Sequence, residues 1–367
     1  MRELVLDEVC RFPGRGLELG IRPDGRLHAV TGDHDLKKPG LMGSTWTTFD
    51  LAGEVLDERR FHSPIWLPVF WKQHTLTAIA DSRQADRGHY QHRSRLVLLG
   101  DGEPQTLDEF DWECYADRPN AIGPYLWIGA SRGTGPGRMS FAWRWDGNEI
   151  HRFPIGRKMD WMSTPVEVSA GVLAAEVESL MLKEEKAGAV CFLADGKPVT
   201  KTPWIPGGGE MAGRVFWIRE RLWVHTSRGV LECFAFEGNK LAHRKVPAFL
   251  GPASGLSRDA PARLALYELL GEPAVAQFEP ESRLEWVVPI DDGALVGFWS
   301  FRKFTLRRLR SNGTAEAEMT MKRGGVAMRR PVNHPLAGVI GLVSDGTVVN
   351  IAEARGTSTS ILPAVFG

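Results

Sequence analysis

Arg83, Arg132 and Arg228 each follow a serine that closes an apolar run: Ile79-Ala80-Asp81-Ser82-Arg83, Ile128-Gly129-Ala130-Ser131-Arg132 and Val224-His225-Thr226-Ser227-Arg228. Arg302 stands two places past a fourth such serine, Ser300, and Arg87, Arg93, Arg95 and Arg138 lie near the first two. A guanidinium presents a planar fork of donors, so several of them brought together would recognise carboxylate or phosphate groups. The competing role is structural: pairing with acids on neighbouring segments, such as Asp81, Glu178 or Asp345, would tie elements together and bind nothing else.

Other residue types suggest less. Thr31-Gly32-Asp33-His34-Asp35 and Arg87-Gly88-His89-Tyr90-Gln91-His92 hold imidazoles and carboxylates, but their spacing matches no metal signature, and no metal is expected there. Glu167, Glu176, Glu178, Glu210, Asp291 and Asp292 would supply a hydrolytic carboxylate pair if two of them faced one point; solvation at strand ends is the plainer role. The chain has no G-x-S-x-G elbow, Walker loop or H-E-x-x-H run, and Gly207-Gly208-Gly209 lacks the Lys-Ser/Thr of a phosphate loop, so no cofactor is expected. Cys10, Cys114, Cys191 and Cys233 are widely spaced, which points to free thiols rather than a zinc site or a disulfide framework.

The elements that must position these groups repeat. Thr31, Ser82, Ser131, Ser179, Ser227, Ser300 and Ser344 mark the same phrase at intervals of 51, 49, 48, 48, 73 and 44 residues by subtraction. Such a period signals a repeat architecture. Each unit parses into four short strands, a to d, and its c–d turn carries a glycine: Gly53, Gly102, Gly147, Gly196, Gly238, Gly313 and Gly356. The units run roughly 17–62, 63–110, 111–156, 157–208, 209–249, 282–323 and 324–367. Four-stranded units in series predict an all-β fold, a seven-bladed β-propeller of antiparallel blades forming one domain over residues 1–367. The strand-like Glu3–Val9 lies outside the first unit and is expected to pair with the last, latching the ring and covering an open edge. Trp66, Trp71, Trp127, Trp143, Trp217, Trp223 and Trp299 suit the wedge between blades. Cys191 and Cys233 share a C-F-x-x-[DE]-G register, which puts both at one depth on strand c.

The long interval holds an insertion, 250–281. Asp259 as a cap, Pro261 in the first turn and Gly271 with Pro273 as a stop predict a helix ending near Leu270. It occupies a d–a connection, which leaves a propeller on the same face as the b–c loops. Its leucines either pack onto the ring or, through Leu266 and Leu270, meet a partner.

Composition narrows the partners. Lys+Arg and Asp+Glu both number 45, so general nucleic-acid binding is not expected. No signal-peptide core and no apolar run of 18 residues is present, so a cytoplasmic protein without membrane contact is expected. The Arg, Ala and Gly content fits a GC-rich bacterial genome.

Over its whole length the chain resembles the β-propeller superfamily. Phe141-Ala142-Trp143-Arg144-Trp145-Asp146 is similar to the strand end that gives WD repeats their name, and Thr48–Leu56 looks like a quinoprotein-type blade. The resemblance implies a rigid ring that presents binding surfaces. In such a ring Arg83, Arg132, Arg228 and Arg302, with Arg87 and Arg138, would converge on the b–c/d–a face. The expected function is a non-enzymatic scaffold for an acidic protein partner or multi-protein complex; the alternative is a hydrolase or lyase acting in the channel on a sugar-like or anionic molecule.

Overall fold

A computed structural model describes residues 2–32, 43–63, 65–72, 74–84, 90–100, 103–110, 119–132, 139–157, 161–179, 186–206, 213–226, 228–238, 240–250, 259–279, 282–300, 303–321 and 327–353. The described chain is all-β apart from the insertion. Residues 15–61, 65–110, 120–157 and 214–244 each form a four-stranded antiparallel sheet with strands in chain order. The 161–206 sheet follows the same pattern with two further short strands. The sixth sheet has eight strands, in which 283–320 supplies one half and Arg2–Arg11 with 332–353 the other. Only a two-residue parallel pairing joins the halves, Arg2 with Ala317 and Glu3 with Glu318.

The expected latch is present. Arg2–Arg11 runs antiparallel to Thr347–Glu353, from Leu4 opposite Glu353 to Arg11 opposite Thr347.

Burial falls from the middle of each sheet outward, as it must when sheets stack face to face. In the 15–61 sheet every residue of Leu27–Gly32 and Ser44–Phe49 is buried, whereas the outer strand Val55–Phe61 is largely exposed. Among the described residues, seven apolar clusters fill the spaces between successive units. One of them unites Leu19, Leu27 and Phe49 with Ile340, Leu342 and Val348, so the first and last units pack on each other. Stacked four-stranded sheets whose two ends meet make a β-propeller. Trp127, Trp143 and Trp223 are at most 1% exposed within these clusters, Trp71 is also buried in one, and Trp217 and Trp299 pack at their margins. The side chain of Trp66 lies outside the described residues.

Turn chemistry explains the hairpins. The Asp50 carboxylate accepts from the N–H groups of Ala52 and Glu54, both at 2.9 Å, and Asp146 does the same for Asn148 and Glu149 at 2.7 and 2.8 Å. Gly53 and Gly147 follow with φ of 85° and 111°, which side chains rarely adopt. The recurrent serine phrase ends strand b: Ser82 and Ser131 each lie two or fewer residues from the ends of His74–Gln84 and Tyr125–Arg132.

Cys191 and Cys233 are both fully buried on strand c of adjacent sheets, as the shared register predicts. Burial pushes the Cys191 thiol up to about 12 and that of Cys233 in the same direction. These are packing groups and poor nucleophiles.

The insertion departs from expectation in its place. Helix α1 spans Ala260–Leu270 and α2 spans Glu272–Val275. Rather than resting on the b–c/d–a face, they descend between the 214–244 and 283–320 sheets and reach the turns at the opposite end. There the Arg219 guanidinium donates to the Tyr267 carbonyl at 3.1 Å, and Gln277 donates to that of Gly313. Composition is the cause: Ala260, Ala262, Leu264, Leu266, Ala274 and Val275 are all buried, and apolar surface on more than one side needs cover on more than one side. The reading of Leu266 and Leu270 as a partner-facing stripe is thereby corrected. Leu266 has no exposed surface, and Leu270 packs against the same cluster.

Asp259 also behaves differently from the cap expected of it. Its side chain makes no capping bond; one oxygen accepts from the Arg263 Nε at 2.8 Å and from the Leu284 N–H at 3.2 Å.

Candidate functional site

The b–c/d–a face was expected to gather arginines. Arg83 and Arg132 lie in the last two residues of their b strands, opposite Gln91 and Met139, and Arg228 sits exposed in the 226–230 turn. All three backbones are therefore at the same end of their sheets. The side chains of Arg83 and Arg132, and the whole of Arg87, Arg138 and Arg302, lie outside the described residues, as do Asp33–Asp35 and Arg87–His89 of the two loops. Arg95 is not at the rim: it sits within strand c and donates to the Thr106 hydroxyl at 3.3 Å.

On the same face the structure brings together two arginines that repeat reasoning passed over. Arg15, Arg329, Trp299, Ser344 and Asp345 line a pocket of about 480 Å³. Arg15 opens strand a of the 15–61 sheet, Arg329 lies in the connection entering 332–353, and Trp299 and Ser344 lie at the b–c ends of their sheets. Arg329 is half-buried; its Nε donates to the Gly16 carbonyl at 2.9 Å, and among the described residues its Nη groups have no hydrogen-bond partner. Burial and the neighbouring Arg15 charge lower the Arg329 guanidinium below its usual range, with Glu285 opposing. Arg15 itself is exposed and makes no ion pair among the described residues. Two like charges held beside a pocket favour an anion between them. The acid across the pocket is already engaged: burial would raise the Asp345 carboxyl, but bonds from Thr347 and a 2.8 Å pair with Arg11 outweigh it and leave it below the carboxylate range. The available signal was positional, because Gly14-Arg15-Gly16 and Arg329-Arg330 stand just ahead of strand a in their units.

The carboxylates read as a hydrolytic pair are dispersed. Glu176 and Glu178 are fully buried, and Glu176 Oε2 accepts from the Gly213 N–H at 2.8 Å, a bond across to the next sheet. Glu167 accepts from the Gly171 N–H in an a–b turn at 3.1 Å, and Asp292 makes a two-pronged pair with Arg308 at 2.9 and 3.1 Å in another. Asp291 is exposed in the same turn, and Glu210 lies outside the described residues. Among the described residues no cluster of three metal-ligating side chains occurs.

The inner strands border a cavity of about 760 Å³ whose wall is mainly apolar, including Leu17, Val69, Phe70, Val288 and Pro331, with Glu18, Arg329, Arg330 and Asn333 among its polar points. His28 also lines it, 2% exposed, with ring centroids 5.3 Å from Trp46 and 5.1 Å from Phe70. Burial, aided by Arg22, lowers this imidazole from 6.5 to about 3. The unfolded chain therefore takes up a proton near pH 6.5 that the folded chain refuses until about pH 3. Stability supplied by neutral His28 is full above pH 6.5 and is lost as pH falls through that window, at up to about 1.4 kcal/mol per pH unit. Urea melts from pH 7.5 to 4 check this: the stability gap between wild type and His28→Phe should be flat above pH 7 and shift steadily in favour of the variant below 6.

No family model matches this chain, and no curated protein matches it. Among solved structures it is similar to the β-propeller domain of Myceliophteria thermophila Cps50 (Swd1), 12% identical, covering 96% of this chain and 100% of that one at a TM-score of 0.48. The β-propeller domain of the Trilobed protease from Pyrococcus furiosus is 10% identical over 93% of this chain and 96% of its own, at 0.45. BamB from Moraxella catarrhalis is 10% identical over 93% and 84%, at 0.41. Likeness at this level says nothing of function, and the fold stands on the pairing and packing above. Among the described residues no helix is long and apolar enough to cross a membrane.

Proposed function

We propose that the protein is a seven-bladed propeller acting in the cytoplasm as a non-enzymatic interaction scaffold, and that it binds an acidic or phosphorylated protein partner through its b–c/d–a face. The observation that carries this reading is the pocket on that face, which places the half-buried Arg329 guanidinium beside Arg15, neither of them ion-paired among the described residues. Guanidinium groups placed this way match carboxylate and phosphate oxygens. Arg228 on the same face, and the strand-end positions of Arg83 and Arg132, extend the cationic surface around the rim. The blade count is supported by dividing the eight-stranded sheet at its two-residue joint, a division that leaves seven units beside the seven apolar clusters of the described residues. A rigid ring loses little conformational entropy on binding, which suits a platform.

The test is co-purification from native cells at moderate salt, comparing wild type with a variant carrying Arg15, Arg83, Arg132 and Arg228 all changed to Glu. Wild type should retain a stoichiometric acidic companion that salt weakens, and the variant should lose it while melting at the same temperature. A lone monomer from wild type, or a companion equally held by the variant, rejects the reading.

A further inference from the structure

On the opposite side of the ring, a cleft of about 600 Å³ opens between the 15–61 and 65–110 sheets, lined by Arg22, Arg26, Arg59, Trp46, Thr48 and Leu99 among others. Thr48 and Asp57 of its wall belong to a row that crosses one sheet, whose other end, Gly20 and His28, lines the channel cavity instead. Gly20 pairs with His28, His28 with Thr48 and Thr48 with Asp57, so their side chains leave the same face. Gly20 is required there, because a Cβ would lie 2.2 Å from the His28 ring.

The middle of this row is well buried but poorly satisfied. Thr48 is 3% exposed, yet its Oγ1 and the Nε of Arg22, both on the cleft, lack any hydrogen-bond partner, and so do both ring nitrogens of His28 on the channel side. Burying a polar group without a partner is costly, and two such atoms on one cleft call for a group that completes them. The charges around the cleft point the same way. Arg22 and Arg26 share one acid, Asp24, at 3.7 and 4.0 Å, beyond hydrogen-bond range, and Arg59 has Asp57 at 3.3 Å and donates to the Gly100 carbonyl. Among the described residues, three guanidinium groups thus face two carboxylates.

We propose that this inter-blade cleft binds a small phosphate ester, with the phosphate on Arg22, Arg26 and Arg59 and a hydroxyl of its organic part on Thr48. The cleft has the volume of small-molecule sites and joins a cationic rim to an apolar wall formed by Trp46 and Leu99. The Thr48 hydroxyl both donates and accepts, so it discriminates in favour of a ligand with its own hydroxyl over bare phosphate. The site is on the face away from the protein-binding surface proposed above and does not depend on it.

The experiment is calorimetric titration of the full chain with inorganic phosphate, glucose 6-phosphate and AMP, with glucose and adenosine as uncharged controls. At least one ester should bind saturably and more tightly than inorganic phosphate, and the controls should not bind. Arg22→Gln with Arg26→Gln should raise its Kd tenfold or more. Thr48→Val provides a second reading with opposite signs: the unliganded protein should melt higher, because an unsatisfied hydroxyl is gone, while the ester binds more weakly. Absence of saturable binding by all three probes, or equal Kd values in the variants, overturns the proposal; so does a Thr48→Val protein that melts lower, which marks the hydroxyl as structural.

Discussion

A chain lacking residues 1–11 is expected to lose its monomeric folded state. Those residues fill the outermost place of the last unit, pairing with Thr347–Glu353 from Leu4 to Arg11 and touching Ala317 and Glu318 of the preceding one. Leu4 is 3% exposed in the cluster that also holds Trp286, Leu306 and Ile351. Losing that one side chain alone typically costs about 2–5 kcal/mol. The truncation further strips the hydrogen-bonding edge of Thr347–Glu353, and a bare edge pairs with other chains. Against a total stability of about 5–15 kcal/mol for a typical protein, the combined loss is decisive. Size-exclusion chromatography should find aggregate in place of monomer, and a peptide spanning residues 1–14, added during refolding, should recover monomer by restoring the strand. A truncated chain that stays monomeric and melts at the wild-type temperature would show that the ring does not need its latch. Leu4→Ala offers the milder version, with a loss in the range just given.

Arg263→Leu should lower stability by about 3–5 kcal/mol, the usual cost of leaving one member of a buried ion pair alone. The side chains of Arg263 and Asp259 are 6% and 11% exposed and meet at 2.8 Å. Arg263 also donates to the carbonyls of Ser282 at 2.9 Å and Glu279 at 3.3 Å, while Asp259 accepts from the Leu284 N–H. One guanidinium therefore fastens α1 to the chain entering the 283–320 sheet, in the space where two blades would otherwise touch. Lysine, with a single ammonium, does not reproduce a fork directed at three acceptors, so Arg263→Lys should recover little. The double variant Asp259→Asn with Arg263→Met should lose less than the sum of its single changes, because no charge is left buried and alone. Urea unfolding curves with a common slope measure wild type, Arg263→Leu, Arg263→Lys, the double variant and its two single changes. A loss under 1 kcal/mol for Arg263→Leu would mean that apolar packing of α1 alone holds the insertion.

Much of the fold was readable because its signals are local. A turn such as Asp50 to Gly53 is specified by one carboxylate reaching two nearby N–H groups and one residue tolerant of positive φ. The strand outside the repeat completes the last unit, to which 332–353 supplies only three strands. Helix α1 was equally legible as a helix, within one residue at its start. Its destination was not, since helical periodicity describes which sides are apolar and not how many sheets will cover them.

The candidate sites divide along the same line. Repetition located Arg83, Arg132 and Arg228 at strand ends, because equivalent residues of a repeat take equivalent places. Arg15 and Arg329 are separated by nearly the whole chain and share a pocket only because the ring brings its first and last units side by side. The row from Gly20 to Asp57 has its register set by successive hairpins, but its unsatisfied atoms arise only when a second sheet closes over it and removes water. The sequence by itself determined the repeating strands, their turns and the existence of the insertion, all of which depend on interactions within about ten residues. Which charges meet, which polar groups are buried without partners and where the helix lies were decided by the tertiary structure, because burial is a property of the surfaces that neighbouring sheets present to one another.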